Sequence, residues 1–162
     1  MKVLITGATG LVGTELVSQC HAKGYDVHYL TTSKDKMESA SNLKGFYWNP
    51  GNGEIDIRCF NGVSAIINLA GASISKRWTP SYKKVILKSR IDSLATLYKA
   101  LEKLPGHTIS SLITASAIGI YPNSLSNYYE EGEPLVDDSF LGEVVAAWEE
   151  KANEFKNLGL LV

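Results

Sequence analysis

Gly7, Gly10 and Gly13, set in Gly7-Ala8-Thr9-Gly10-Leu11-Val12-Gly13, are the residues whose spacing speaks most directly of chemistry. The first glycine permits a tight turn, the second lets backbone approach a pyrophosphate, and the third lets a helix pack closely on a strand. Thr9, Leu11 and Val12 complete the loop, whose main-chain N–H groups at a helix start favour an anion. A glycine triplet alone is a weak signal, so its surroundings decide. A short apolar run, Lys2 to Thr6, precedes it; a helical pattern from Gly10 to Lys23 follows and is closed by Gly24. Tyr25 to Thr31 then predicts a second strand. That is the context of a dinucleotide site.

The end of the second strand bears on which dinucleotide. An NAD site usually places Asp or Glu there to hold the ribose 2′-hydroxyl. This chain has Thr31-Thr32-Ser33-Lys34, with no acid before Asp35. The Thr32 and Ser33 hydroxyls and the Lys34 ammonium suit a 2′-phosphate, which favours NADP over NAD. NAD is the alternative, and a solvated turn carrying a lysine is the plain reading.

Other chemistry is less pointed. Arg77, Trp78 and Lys84 flank the start of a long predicted helix, near the expected C-terminal edge of the strands. There the cations could hold a substrate carboxylate or phosphate and Trp78 could wall the pocket; a solvated helix start is the competing reading. Trp148 reads as core. Cys20 and Cys59 form no CxxC pair and the three histidines are scattered, so no metal site is expected. The acids Glu130, Glu131, Glu133, Asp137 and Asp138 read as a solvated loop.

The elements that must position these residues follow from composition and periodicity. In 162 residues, 44% are hydrophobic and the formal net charge is −1, which suits one domain with its own core and indicates no nucleic-acid partner. No apolar run reaches membrane-span length and the start does not resemble a signal peptide. With two thiols expected to be reduced, a cytoplasmic location is expected. Further strands are predicted at Gly45–Trp48, Val63–Leu69 and Ile109–Ala115, with a sixth beginning at Leu158. The polar stretch 33–43 has room for one brief helix. Thr79-Pro80 is a helix start, and Leu87, Ile91, Leu94, Tyr98 and Leu101 form the stripe behind it. Residues 122–138 read as a loop and Phe140–Phe155 as the last helix. Alternating strands and helices, with strands apolar on both faces, predict an α/β domain with a doubly wound parallel sheet. The run that ends the chain inside a strand pattern suggests one dinucleotide-binding domain, residues 1–162, of a longer protein, truncated before its substrate-binding portion.

Thr6 to Gly13, then Asn68-Leu69-Ala70-Gly71, then Ser116, resemble the extended short-chain dehydrogenase/reductase superfamily, which has a Rossmann-type NAD(P)-binding fold. Asn68 to Thr79 with its Lys-Arg-Trp segment, Lys83-Lys84, Ser89-Arg90-Ile91, Ser116 to Tyr121 and Trp148-Glu149 are similar to its atypical "epimerase family", or NAD-dependent epimerase/dehydratase-like, branch. The resemblance implies that Leu69, Ala70 and Gly71 pass the cofactor's ribose and nicotinamide side. It implies that Ser116 hydrogen-bonds a substrate oxygen. The superfamily's Tyr-x-x-x-Lys pair is missing: the matching positions are Leu141 and Val145, which have no proton to give. Tyr121, at the end of the fifth strand, is the best stand-in acid, and a tyrosine packed over the loop is the bland alternative.

The expected function is that of an NADP(H)-binding, epimerase/dehydratase-like oxidoreductase. Its substrate would be an unspecified small molecule, such as a nucleotide sugar or another carbonyl or hydroxyl compound. The alternative is a non-catalytic dinucleotide-binding sensor or interaction module, which the missing pair favours. Homodimerisation through the long helix and burial of its stripe in the core are both compatible with the pattern.

Overall fold

A computed structural model describes residues 1–162, and its order follows the predicted alternation. Strand β1 (Lys2–Thr6) leads through the glycine loop into α1 (Leu11–Ala22) and β2 (Asp26–Thr31). A 3-10 turn at Lys34–Lys36 precedes β3 (Leu43–Asn49), and a second at Pro50–Asn52 leads to the two-residue β4 (Glu54–Ile55). After a third turn at Ile57–Phe60 come β5 (Ala65–Asn68), α2 (Pro80–Glu102) and β6 (Ser111–Thr114). The chain then runs through a short turn at Ile118–Ile120 and a long loop to α3 (Phe140–Asn153), which ends in a 3-10 turn at Glu154–Leu158.

The six strands lie in the order β4-β3-β2-β1-β5-β6. All neighbours are parallel except β4, which pairs antiparallel with β3. That edge hairpin departs from the purely parallel sheet expected; Gly53, in the left-handed region at φ 69°, turns the chain back for it. The expected terminal strand is present as one bridge, Leu161 beside Ser111 on β6. Strand order reverses between β1 and β5, and open α/β sheets bind ligands at the carboxyl ends of strands flanking such a switch.

Helices cover opposite faces. The face of Val3, Ile5, Val27 and Tyr29 packs under α1 through Cys20, with Leu16 and Val17 partly buried. The other face, including Leu4, Leu30, Phe46 and Ile66, packs with α2 and α3 around Leu94, Leu97, Leu101, Trp148 and Phe155. The α2 stripe is rotated from the expected one. Ile86, Leu94, Leu97, Ala100 and Leu101 are buried, while Leu87, Ile91 and Tyr98 are only partly covered. The small polar Ser93 and Thr96 are also buried: each hydroxyl donates to a carbonyl, of Arg90 and Pro50 respectively, so neither enters the core unpaired. No helix is long and apolar enough to cross a membrane.

Candidate functional site

The glycine loop sits at the carboxyl end of β1, and its geometry explains its composition. Gly7 has φ +71°, and a Cβ there would lie 2.9 Å from the Leu69 carbonyl oxygen. A Cβ on Gly13 would lie 2.2 Å from the Gly7 carbonyl oxygen, an impossible contact, so only glycine lets α1 begin this close to the strand. Gly10 N–H donates to Gly7 O at 3.0 Å and closes the turn.

The start of α1 differs from the other two helix starts. Thr79 caps α2 by accepting from Tyr82 N–H, and Ser139 caps α3 by accepting from Gly142 N–H. No side chain caps α1, whose N-cap is Gly10 and whose first turn holds no acid. Its first N–H groups are therefore open to an anion, without a competing carboxylate. Leu11 and Val12 beside them are exposed apolar side chains.

Strand ends are tied across the switch point. Thr6 Oγ1 donates to Asn68 Oδ1 at 2.7 Å and accepts from the N–H groups of Leu69 and Ala70, each at 3.1 Å. Asn68 Nδ2 in turn donates to Thr114 Oγ1 at 3.1 Å. One buried hydroxyl and one buried amide thus hold the ends of β1, β5 and β6 in register.

A cleft of about 650 Å³ opens over this edge. Gly7, Thr9, Ala70 and Gly71 line its floor, Thr31 and Thr32 stand at the end of β2, and Lys84 is on the α2 side. Ser33 and Lys34 do not line it. The Ser33 N–H is spent on Thr31 Oγ1, and the Lys34 ammonium lies over the Tyr47 ring, 5.2 Å from its centroid. Of the suggested substrate group, only Lys84 reaches the cleft. Arg77 points to solvent; Trp78 donates to Ile74 O at 2.8 Å and packs edge-on against Phe140.

The wall from Trp48 to Gly51, facing Ser89, Asp92 and Ser93 of α2, was not anticipated. By composition Asn49-Pro50-Gly51 is a turn, and the α2 periodicity marks apolar positions, not these polar ones. The available signal was position, because a loop leaving the carboxyl end of a parallel strand borders the ligand crevice.

Gly71 has a second neighbour. A Cβ there would lie 3.1 Å from Arg90 Cζ, so glycine lets the guanidinium pack flat. Arg90 donates to Ile86 O at 3.0 Å and lies over the Trp148 ring, 5.0 Å from its centroid. Burial holds its pKa below the usual arginine range, a shift the Tyr82 side chain partly opposes. Trp148 is buried, as expected, with its Nε1 unpartnered.

Ser116 lies exposed just past β6, and its Oγ donates to Glu149 Oε1 on α3. Tyr121 is not joined to it: its ring stacks on Tyr129 with centroids 5.5 Å apart. Leu141 and Val145 sit on α3, Val145 buried. Glu149 stands one helical turn beyond Val145, the spacing by which its chemistry is legible in the sequence. No cluster of three or more His, Cys, Asp or Glu is placed to hold a metal ion. Both thiols are buried, which raises their pKa values.

Residues 3–140 match the family model described as the NAD dependent epimerase/dehydratase family. An epimerase family protein of Staphylococcus haemolyticus is 37% identical over 162 residues, covering 99% of this chain and 52% of the relative. One from Staphylococcus epidermidis is 36% identical with the same coverage. The chain spans about half the length of the curated relatives it matches. Among solved structures, the human epimerase family protein SDR39U1 (isoform 2) with NADPH superposes at TM-score 0.74 and 27% identity, over 94% of this chain and 48% of that one. UDP-glucuronic acid 4-epimerase from Bacillus cereus in complex with NAD gives TM-score 0.75 over 99% of this chain and 54% of that one; at 18% identity it supports the fold alone.

Proposed function

The chain belongs to the NAD dependent epimerase/dehydratase family, and from that premise we propose that it forms the NADP(H)-binding part of an epimerase-like oxidoreductase. The observation that carries this reading is the uncapped α1 start beside Gly7 and Gly13, over a cleft at the switch point. A pyrophosphate fits there, because the open N–H groups need an acceptor and the glycines leave the backbone bare. The related human protein with NADPH supports the same reading.

Gly7, Thr9, Gly10, Leu11, Val12 and Gly13 would hold the pyrophosphate, and Leu69, Ala70 and Gly71 would pass the ribose and nicotinamide side. The wall at Asn49–Gly51 and α2 would take the adenine end. Thr32, which lines the cleft, would border the 2′ position, and Ser33 and Lys34 lie one and two residues beyond it. A nicotinamide dinucleotide supplies hydride uptake and return when bound, the hard part of such chemistry. The chain's own work is to bind and orient, with Ser116 holding a substrate oxygen and Lys84 an anionic group. The substrate class proposed is a small carbonyl or hydroxyl compound, a nucleotide sugar among them.

Leu141 and Val145 favour a second reading, a dinucleotide-binding module without turnover, since neither side chain can move a proton. The two readings part when NADPH consumption is followed against a panel of carbonyl and nucleotide-sugar compounds. The first test is a parallel titration of the 162-residue chain with NADPH and NADH, followed by nicotinamide fluorescence. Tighter NADPH binding is expected. Tighter NADH overturns the NADP preference, and binding of neither overturns the cofactor reading for this chain.

A further inference from the structure

We propose that Glu149 is the proton-accepting partner of Ser116, a carboxylate just past the carboxyl end of β6, outside the lining of the cleft itself. This assignment rests on the dinucleotide reading of that cleft. Three observations carry it. Ser116 Oγ donates to Glu149 Oε1, joining the loop after β6 to α3 across 33 residues of sequence. Glu149 is partly buried and takes part in neither of the chain's two ion pairs, which join Arg58 to Asp56 and Lys151 to Glu154. Its carboxylate is thus paired with no cation, and its side-chain hydrogen bond is to the Ser116 hydroxyl.

The third observation is placement. Residues 141, 145 and 149 fall four apart on α3 and share one face. That face runs along the segment after β6: a Cβ on Gly119 would lie 3.2 Å from Leu141 Cβ, and Glu149 meets Ser116. The first two positions of the row carry no ionisable group, so Glu149 is its one proton acceptor. The segment it serves is tied to the cleft floor, because Ala115 N–H donates to Asn68 O at 3.0 Å and Asn68 directly precedes the Leu69–Gly71 run.

The proton balance closes within these two side chains. As a substrate alcohol is oxidised, its O–H proton passes to Ser116 Oγ while that oxygen releases its own proton to Glu149 Oε1. The carboxylate ends as a carboxylic acid and later returns the proton to water. The substrate carbon's hydrogen leaves with its electron pair, which a nicotinamide dinucleotide takes up when bound. Carbonyl reduction runs the same path backwards.

The test reads cofactor binding, not turnover. Oxidised nicotinamide carries a positive ring and the reduced form does not, so a nearby carboxylate favours NADP+ over NADPH. Dissociation constants for NADPH, by fluorescence, and for NADP+, by competition, are measured on the wild-type chain, Glu149→Gln and Glu149→Asp. Glu150→Gln, one residue on and exposed, is the control. In Glu149→Gln the ratio of NADP+ to NADPH dissociation constants is expected to rise about fivefold, with Glu149→Asp returning it toward wild type and Glu150→Gln leaving it alone. A ratio unmoved in Glu149→Gln, or moved equally in the Glu150 control, overturns the assignment while leaving the cofactor reading intact. A wild-type chain that binds neither form overturns both.

Discussion

Thr6 and Asn68 face each other at the last rung of the β1–β5 ladder, and the Thr6 hydroxyl donates to Asn68 Oδ1 at 2.7 Å with both residues fully buried. This pair sits where the strand order reverses, directly beneath the glycine loop and the Leu69–Gly71 run. It is a structural bond placed where a small shift would move both walls of the cleft.

Replacing Thr6 with Val keeps the shape and removes the hydroxyl. Asn68 Oδ1 then loses its donor and the Ala70 N–H its acceptor, a buried deficit worth about 2–3 kcal/mol. Urea denaturation should show that loss. Thr6→Ser should recover most of it, and NADPH affinity should fall with Val and recover with Ser.

Gly13 and Gly24 should respond differently to alanine. At Gly13 the new Cβ would meet Gly7 O at 2.2 Å, so loop and helix must separate, costing about 2 kcal/mol. NADPH affinity should fall at least about tenfold, since the displaced backbone is the proposed anion cradle. At Gly24 nothing lies within 4 Å, and only its φ of +72° is penalised, at about 1 kcal/mol. Isothermal titration should show unchanged NADPH binding there; a matching loss at both sites would refute the cradle.

Lys34 tests cofactor choice. Its ammonium lies over Tyr47, outside the cleft lining and free of any ion pair. If it serves the 2′-phosphate, Lys34→Ala weakens NADPH by about tenfold, the scale of one charge-assisted hydrogen bond. NADH, which lacks that phosphate, should bind as before. Equal weakening of both would assign Lys34 to the loop's structure.

His28 sets a pH dependence of stability. Its Nδ1–H donates to the Cys59 carbonyl at 2.7 Å within the fold, and burial holds its pKa below the ordinary 6.5; Lys2 and Lys44 act in the same direction, while the Cys59 hydrogen bond and Asp26 oppose it. The unfolded chain therefore takes up a proton more readily than the folded one. Its contribution is complete above about pH 6.5 and declines as pH falls from there toward the folded-state value. Thermal melts from pH 7.5 to 5 should show a falling Tm. His28→Asn, which keeps a donor but cannot titrate, should flatten that slope.

The periodicities made most of the architecture legible. Lys2–Thr6, Asp26–Thr31 and Ala65–Asn68 are short and apolar because parallel strands are covered on both faces, so their sequences announce them. Thr79-Pro80 announced α2 equally well, since a capping hydroxyl followed by proline is local chemistry. The rotation of the α2 stripe was less legible. Ser93 and Thr96 are polar in a hydropathy pattern, yet their hydroxyls donate to backbone carbonyls and are buried. The β4 hairpin was hidden because two residues carry no periodicity.

From the sequence alone came the glycine loop, the strand alternation and the lack of an acid at the end of β2. Each depends on residues adjacent along the chain, where backbone geometry and spacing act directly. Tertiary structure decided what depends on distant segments meeting. It set the cleft wall of Asn49–Gly51 against α2, left Arg77 and Trp78 off the cleft, and packed Arg90 between Gly71 and Trp148. It also brought Glu149 to Ser116. Such pairings follow from how α2 and α3 settle on the sheet, and a side chain's partner across a fold is fixed by packing, which no local pattern encodes.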